Sequence, residues 1–187
     1  MRTFIAIELP KDIKNILGNI QNELRQSQAD VKWVKPDNIH LTLKFLGEIQ
    51  EDLVKKIQLV LEEIAQKNSS FSIYLASLGV FPKLQYPRVV WIGLNNDQQI
   101  LKIAKELEES LITIGIPAET RPFSSHITLG RLRSSSHRKE LVEKIESLNK
   151  NLSLSLQEFR VSGITLFKST LTPAGPIYEV IFTSPLE

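Results

Sequence analysis

The chain has 187 residues, 42% of them hydrophobic and 24% charged, with a formal net charge of +2 and no cysteine. That length can bury a sizeable core in one domain or in two lobes sharing an interface. The near balance of charge excludes a surface coated in base for non-specific duplex binding, and the missing thiols exclude disulfide and thiolate chemistry and fit a cytoplasmic setting.

The opening "MRTFIAIELPKD" turns polar too soon for a signal peptide, and no apolar run is long enough to span a membrane. Phe4, Ile5, Ala6 and Ile7 predict a buried strand. Ile13, Ile16, Leu17, Ile20 and Leu24 then recur at helical spacing. After "VKWV" and the turn-like "KPDN", the stretch "HLTLKFLG" alternates as a strand does and stops at Gly47. Leu53, Ile57, Leu61 and Ile64 mark a second amphipathic helix, with "FSIYLASLGVF" and "RVVWIGL" as the next strands.

From there the order restarts. "RVVWIGL" takes the place of "TFIAIEL", and Ile100, Leu101, Ala104, Leu107 and Leu111 form the helical stripe. "HITLGRL" is a second histidine strand. Leu141, Ile145 and Leu148 predict a helix, "LSLSLQEFRVSGITLF" a strand, and "PIYEVIF" the closing strand. Trp91 follows Ile5, and His126 follows His40, by the same 86 positions (91 − 5 and 126 − 40). These correspondences predict an internal duplication within one bilobal domain over residues 1–187, of class α+β. Each lobe is expected to be an antiparallel sheet with helices on its outer face and a cleft between the lobes.

Two of the three histidines each open a His-x-Thr-Leu. On a strand, His40 and Thr42 share one face while Leu41 and Leu43 pack beneath, and His126 and Thr128 repeat the pattern. Facing pairs of this kind suit in-line displacement at phosphorus, where one imidazole takes a proton from water and the other gives one to the departing oxygen. The threonine hydroxyls can donate to the non-bridging oxygens. A zinc site, the rival use of two histidines, lacks a third ligand at a recognisable spacing, so no metal or other cofactor is expected. His137, in "SSSHRKE", reads as part of a polar, solvent-exposed helix start.

"HLTLKFLGE", "RPFSSHITLGR", "FIAIELP", "LGVFPK" and "ITLFKSTLTPAGPIYEV" together resemble the RNA 2′,3′-cyclic phosphodiesterases, also called 2′-5′ RNA ligases, among the two-histidine phosphoesterases. The likeness runs over nearly the whole chain. It implies hydrolysis of a 2′,3′-cyclic phosphate end of RNA to a 2′-phosphomonoester, with reverse 2′-5′ ligation as the opposite direction. It also implies His40 as proton donor to the leaving 3′ oxygen, His126 as the acceptor that activates water, and Thr42 and Thr128 as phosphate holders. The residues alone do not distribute acid and base between the two histidines. The expected partner is RNA with a cyclic-phosphate end, bound by a monomer. A non-catalytic RNA-end binder, and the same chemistry on a small cyclic nucleotide, are the competing readings.

Around the motifs, Arg131 offers bidentate bonds to phosphate if the strand bulges near Gly130; otherwise it points with Leu129. Lys44 has the parity of Thr42 and is expected at the cleft. Phe45 and Phe123 offer either stacking surface for a base or core packing. Arg121 and Arg133 add local positive charge.

Overall fold

The structure, a computed structural model, describes residues 1–151 and 157–187. Among the described residues, nine strands and four helices follow in order: β1 (Arg2–Glu8), α1 (Lys11–Arg25), β2 (Val31–Trp33), β3 (His40–Glu48), α2 (Glu51–Gln66), β4 (Phe71–Lys83), β5 (Tyr86–Asn95), α3 (Gln98–Thr113), β6 (His126–Leu132), α4 (Arg138–Asn149), β7 (Glu158–Val161), β8 (Gly163–Thr172) and β9 (Gly175–Pro185). The first residues of the expected strand "LSLSLQEFRVSGITLF" lie outside the described residues; the remainder forms β7 and β8. "KPDN" holds a short 3-10 turn, Pro36–Asn38.

The helices form where the apolar stripes predict them. Ile13, Leu17, Ile20 and Leu24 are the buried face of α1, and Ile100, Ile103, Ala104, Leu107 and Leu111 that of α3. No described helix is long and apolar enough to cross a membrane.

Two antiparallel sheets carry the strand orders β3-β1-β8-β9 and β2-β6-β5-β4-β7. The two sequence units are therefore interwoven. β8 and β9, from the end of the chain, complete the sheet of β1 and β3, while β2 and β4 from the first half join the sheet of the second histidine strand. One continuous apolar core runs from Ile5 and Ile7 of the first sheet through the helices to Ile92 and Ile127 of the second. The opposite face of the first sheet has its own small cluster of Phe4, Ala6 and Phe167, with Tyr178 against it.

The two histidine strands share an irregularity. Lys44 opposes Ile5 and Thr42 opposes Ala6, so Leu43 is an extra residue, a β-bulge. Gly130 opposes Val90 and Thr128 opposes Trp91, so Leu129 is extra in the same way, 129 − 43 = 86 positions on. The strands they pair with shift by one less. Trp91 has Ala6 as its register counterpart, an offset of 91 − 6 = 85. Counting 86 from Ile5 to Trp91 matches a core residue to one on the open face, because a one-residue slip in a strand reverses the side on which it points. The carbonyl of bulged Leu129 accepts bonds from the Val34 N–H (2.9 Å) and from Nε2 of buried Gln21 (2.9 Å), which ties α1 to the second histidine strand.

Candidate active site

His40 is the first residue of β3, which is the outermost strand of its sheet, and His126 is the first residue of β6. These two strands lie against one another where the sheets meet. Both rings are anchored identically. Nδ1–H of His40 donates to the Asn38 carbonyl at 2.7 Å, and Nδ1–H of His126 donates to the Ser124 carbonyl at 2.7 Å. An imidazole held this way keeps its proton on Nδ1 and leaves Nε2 to exchange one.

Each ring rests on an aromatic floor. His40 stacks on Phe4 (centroids 4.8 Å apart, planes 30°) and meets Tyr178 edge-on at 5.3 Å. His126 meets Phe81 edge-on at 5.0 Å, with Trp91 at 6.4 Å. Burial depresses the pKa of both imidazoles below the ordinary value near 6.5, and the hydrogen bonds to Asn38 and Ser124 only partly oppose it. The positive charges of Lys14 beside His40 and Arg131 beside His126 push the same way.

Thr42 and Thr128 are half-buried, two residues along from their histidines, and their hydroxyls take no protein partner among the described residues. The bulge at Leu129 sets the direction of Arg131. Beyond it, Gly130 opposes core-facing Val90 and Arg131 opposes Val89, so Arg131 projects on the side of His126 and is exposed. Its charge is felt by His126 and also by Tyr178 of the opposite sheet, which itself touches the His40 ring. Arg131 thus lies on the His126 side of the second sheet, and Tyr178 lies against His40 on the first.

The same bulge geometry removes Lys44 from that cleft. Opposing Ile5 places it on the core side, where its buried ammonium donates to both Glu108 carboxylate oxygens (2.9 and 2.7 Å) and to the Pro117 carbonyl (2.9 Å). Lys44 is thus a tie between β3 and α3, contrary to the alternation reading, because the extra residue inverts its parity. Phe123 packs against the main core. Phe45 stands on the open face, 60% exposed, with its ring 6.2 Å from Phe4. Arg133 is paired with Asp30 at 3.0 Å. His137 is exposed at the start of α4, with Nδ1 3.8 Å from Glu140.

The sequence matches the LigT like Phosphoesterase family twice in succession, over residues 7–91 and 92–178. The chain belongs to that family. Within the LigT-like phosphoesterases, a relative from Methanocaldococcus jannaschii named RNA 2′,3′-cyclic phosphodiesterase is 39% identical over 181 residues, 97% of this chain and 98% of the relative. One of the same name from Aquifex aeolicus is 37% identical over 183 residues, 97% of this chain and 95% of the relative. The crystal structure of a Thermus thermophilus protein superposes with a TM-score of 0.83 at 27% identity, covering 100% of this chain and 98% of that one. Escherichia coli LigT complexed with 3′-AMP superposes with a TM-score of 0.78 at 26% identity, covering 99% and 97%.

Three residues of this LigT-like site are not singled out by the motifs. Tyr178, on β9, sits beside His40, and burial raises its phenol pKa while Arg2 and Arg131 pull it down. Phe81 and Trp91 form the floor under His126. The pairing of "LGVFPK" with "ITLFKS" does carry a signal for Phe81, since Phe167 lies 167 − 81 = 86 positions on and closes the equivalent floor under His40. Tyr178 has no such counterpart.

Proposed function

We propose that the protein hydrolyses the 2′,3′-cyclic phosphate end of RNA to a 2′-phosphomonoester. The observation that carries this reading is the matched pair of imidazoles, each with Nδ1–H on a backbone carbonyl and each at the head of one of two abutting strands. Water attacks phosphorus opposite the bond to O3′; Nε2 of His126 accepts the water proton while Nε2–H of His40 protonates O3′ as the P–O3′ bond breaks. Thr42, Thr128 and Arg131 bind the non-bridging oxygens, and Phe45 offers a face to a base. The relatives named RNA 2′,3′-cyclic phosphodiesterase support the substrate class. Reverse 2′-5′ joining uses the same groups with a 5′-hydroxyl in place of water. The twin bulges 86 positions apart support a duplicated unit folded into one bilobal domain. Both histidines come from a single chain, so a monomer suffices, working in the cytoplasm.

Product analysis of an RNA oligonucleotide ending in a 2′,3′-cyclic phosphate tests this. The expected product is the 2′-monoester, formed at an equal rate with and without EDTA. Binding without turnover would show an RNA-end binder instead, and rate loss in EDTA restored by a divalent ion would remove the metal-free mechanism.

The pH profile follows from the imidazole environments. The active form needs one ring protonated and one neutral, so activity peaks midway between their two pKa values. Burial holds both below the ordinary 6.5, so kcat/KM, which reports the free enzyme, is expected to peak on the acid side of 6.5. Above the peak the acid loses its proton; below it the base gains one. A peak above pH 7 in kcat/KM would contradict the desolvated sites.

Arg131→Ala is expected to lower kcat/KM by about 10- to 100-fold through loss of a charged hydrogen bond to phosphate. It should leave the melting temperature nearly unchanged, because Arg131 is exposed.

A further inference from the structure

A groove runs over the open face of the first sheet, away from His40, and nothing in the proposed hydrolysis uses most of it. It encloses about 290 Å³ and is lined by Arg2, Phe4, Phe45, Ser169, Leu171 and Tyr178 among others. Its character is that of a nucleotide site. Phe4 and Tyr178 form the wall shared with the His40 floor, and Phe45 and Leu171 are 60% and 64% exposed, apolar surface without a protein partner to cover it. Arg2 makes no ion pair among the described residues. The acidic side chain in the lining, Glu48, is already paired with the N-terminal ammonium at 2.9 Å. An unpaired guanidinium beside bare aromatic surface favours an anion joined to a flat ring.

The groove is continuous with the histidine site. Tyr178 borders both: it lines the groove together with Arg2, and its ring meets that of His40 edge-on at 5.3 Å. Along β1, Arg2 stands four residues from Ala6, the partner of Thr42, about 13 Å in an extended strand. That is too far for Arg2 to serve the phosphate held at Thr42, and close enough for the next one. A 2′,3′-cyclic phosphate closes the 3′ end of an RNA, so the body of the chain leaves the site from the 5′ side of the terminal ribose.

We propose that this groove is the subsite for the penultimate nucleotide of the RNA. Arg2 and the Tyr178 hydroxyl bind the phosphodiester that joins it to the terminal nucleoside, and the rim of Phe45 and Leu171 covers its base. The inference rests on the hydrolase reading above and adds to it the lobe on which the RNA body lies.

The test compares kcat/KM for a nucleoside 2′,3′-cyclic phosphate with that for a dinucleotide bearing the same end. The wild type is expected to favour the dinucleotide by about tenfold or more, the scale of one stacked base and one phosphate contact. Arg2→Gln and Leu171→Ser, both at exposed positions, are expected to bring that ratio toward one, chiefly through KM of the dinucleotide. Lys56→Gln, on the exposed face of α2, removes the same charge and is expected to leave the ratio intact. A wild-type ratio near one would overturn the subsite, as would equal loss of the ratio in the Arg2 and Lys56 variants, while hydrolysis itself stood. Turnover of neither substrate would instead overturn the hydrolase reading and the subsite with it.

Discussion

Alanine in place of His126 is expected to lower kcat on a cyclic-phosphate-ended RNA by about 10²- to 10⁴-fold, the usual contribution of a positioned acid or base, and His40→Ala by a similar factor. The two losses should not multiply. Proton removal and proton delivery belong to one displacement, so the double variant is expected near the slower single variant. Folding separates the cases. His126 meets Phe81 edge-on, whereas His40 is stacked on Phe4, so only His40→Ala is expected to lower the melting temperature noticeably. Single-turnover rates set beside thermal melts check both statements. Retention of more than a tenth of the wild-type rate in either variant, with the fold intact, would remove that imidazole from the chemistry.

The second large effect concerns stability. Lys44→Met is expected to destabilise the fold by about 3 kcal/mol, the low end for breaking a buried ion pair, measured by urea denaturation. The low end applies because the lysine is buried at 3% exposure while Glu108 keeps 29% of its side chain in contact with solvent. Three acceptors lose their donor: both Glu108 oxygens and the Pro117 carbonyl. Glu108 also accepts the Glu119 N–H, so the segment leading into His126 loosens with it, and kcat should fall several-fold without any contact between Lys44 and substrate. Burial pushes the Glu108 carboxyl up, and the Lys44 ammonium with the Glu119 N–H more than reverses this, leaving it below the ordinary carboxylate value. Replacing Glu108 with leucine in the Lys44→Met background is expected to restore part of the loss, because no carboxylate is then left unpaired. A cost below about 1 kcal/mol for Lys44→Met would show that the tie carries little.

Strand alternation was enough to place His40 with Thr42 above buried Leu41 and Leu43, and His126 with Thr128 above buried Ile127 and Leu129, since every residue up to Leu43 and Leu129 obeys it. It failed one step later. A bulge changes which way the next side chain points without changing composition or period, so Lys44 read as a cleft residue and lies under the sheet. Arg131 came to the exposed His126 face through the same irregularity. The 86-position correspondence was legible as spacing, but spacing says nothing of which sheet a strand joins. The crossing of β4 into the second sheet and of β8 and β9 into the first depends on pairing between distant segments. Tyr178 was invisible for that reason: only β9 lying alongside β8 brings it next to His40. Phe123 offered a base or the core equal surface in the sequence, and packing decided for the core.

In the proposed hydrolysis His40 and His126 act on one phosphorus atom from opposite sides. A crystal structure with a nucleoside 2′-monophosphate tests it most directly. Nε2 of both rings should lie within about 3.2 Å of oxygens of the same phosphate, with the Thr42 and Thr128 hydroxyls on its remaining oxygens. A phosphate bound to one imidazole alone, with the other ring out of reach, would rule out the paired-imidazole displacement.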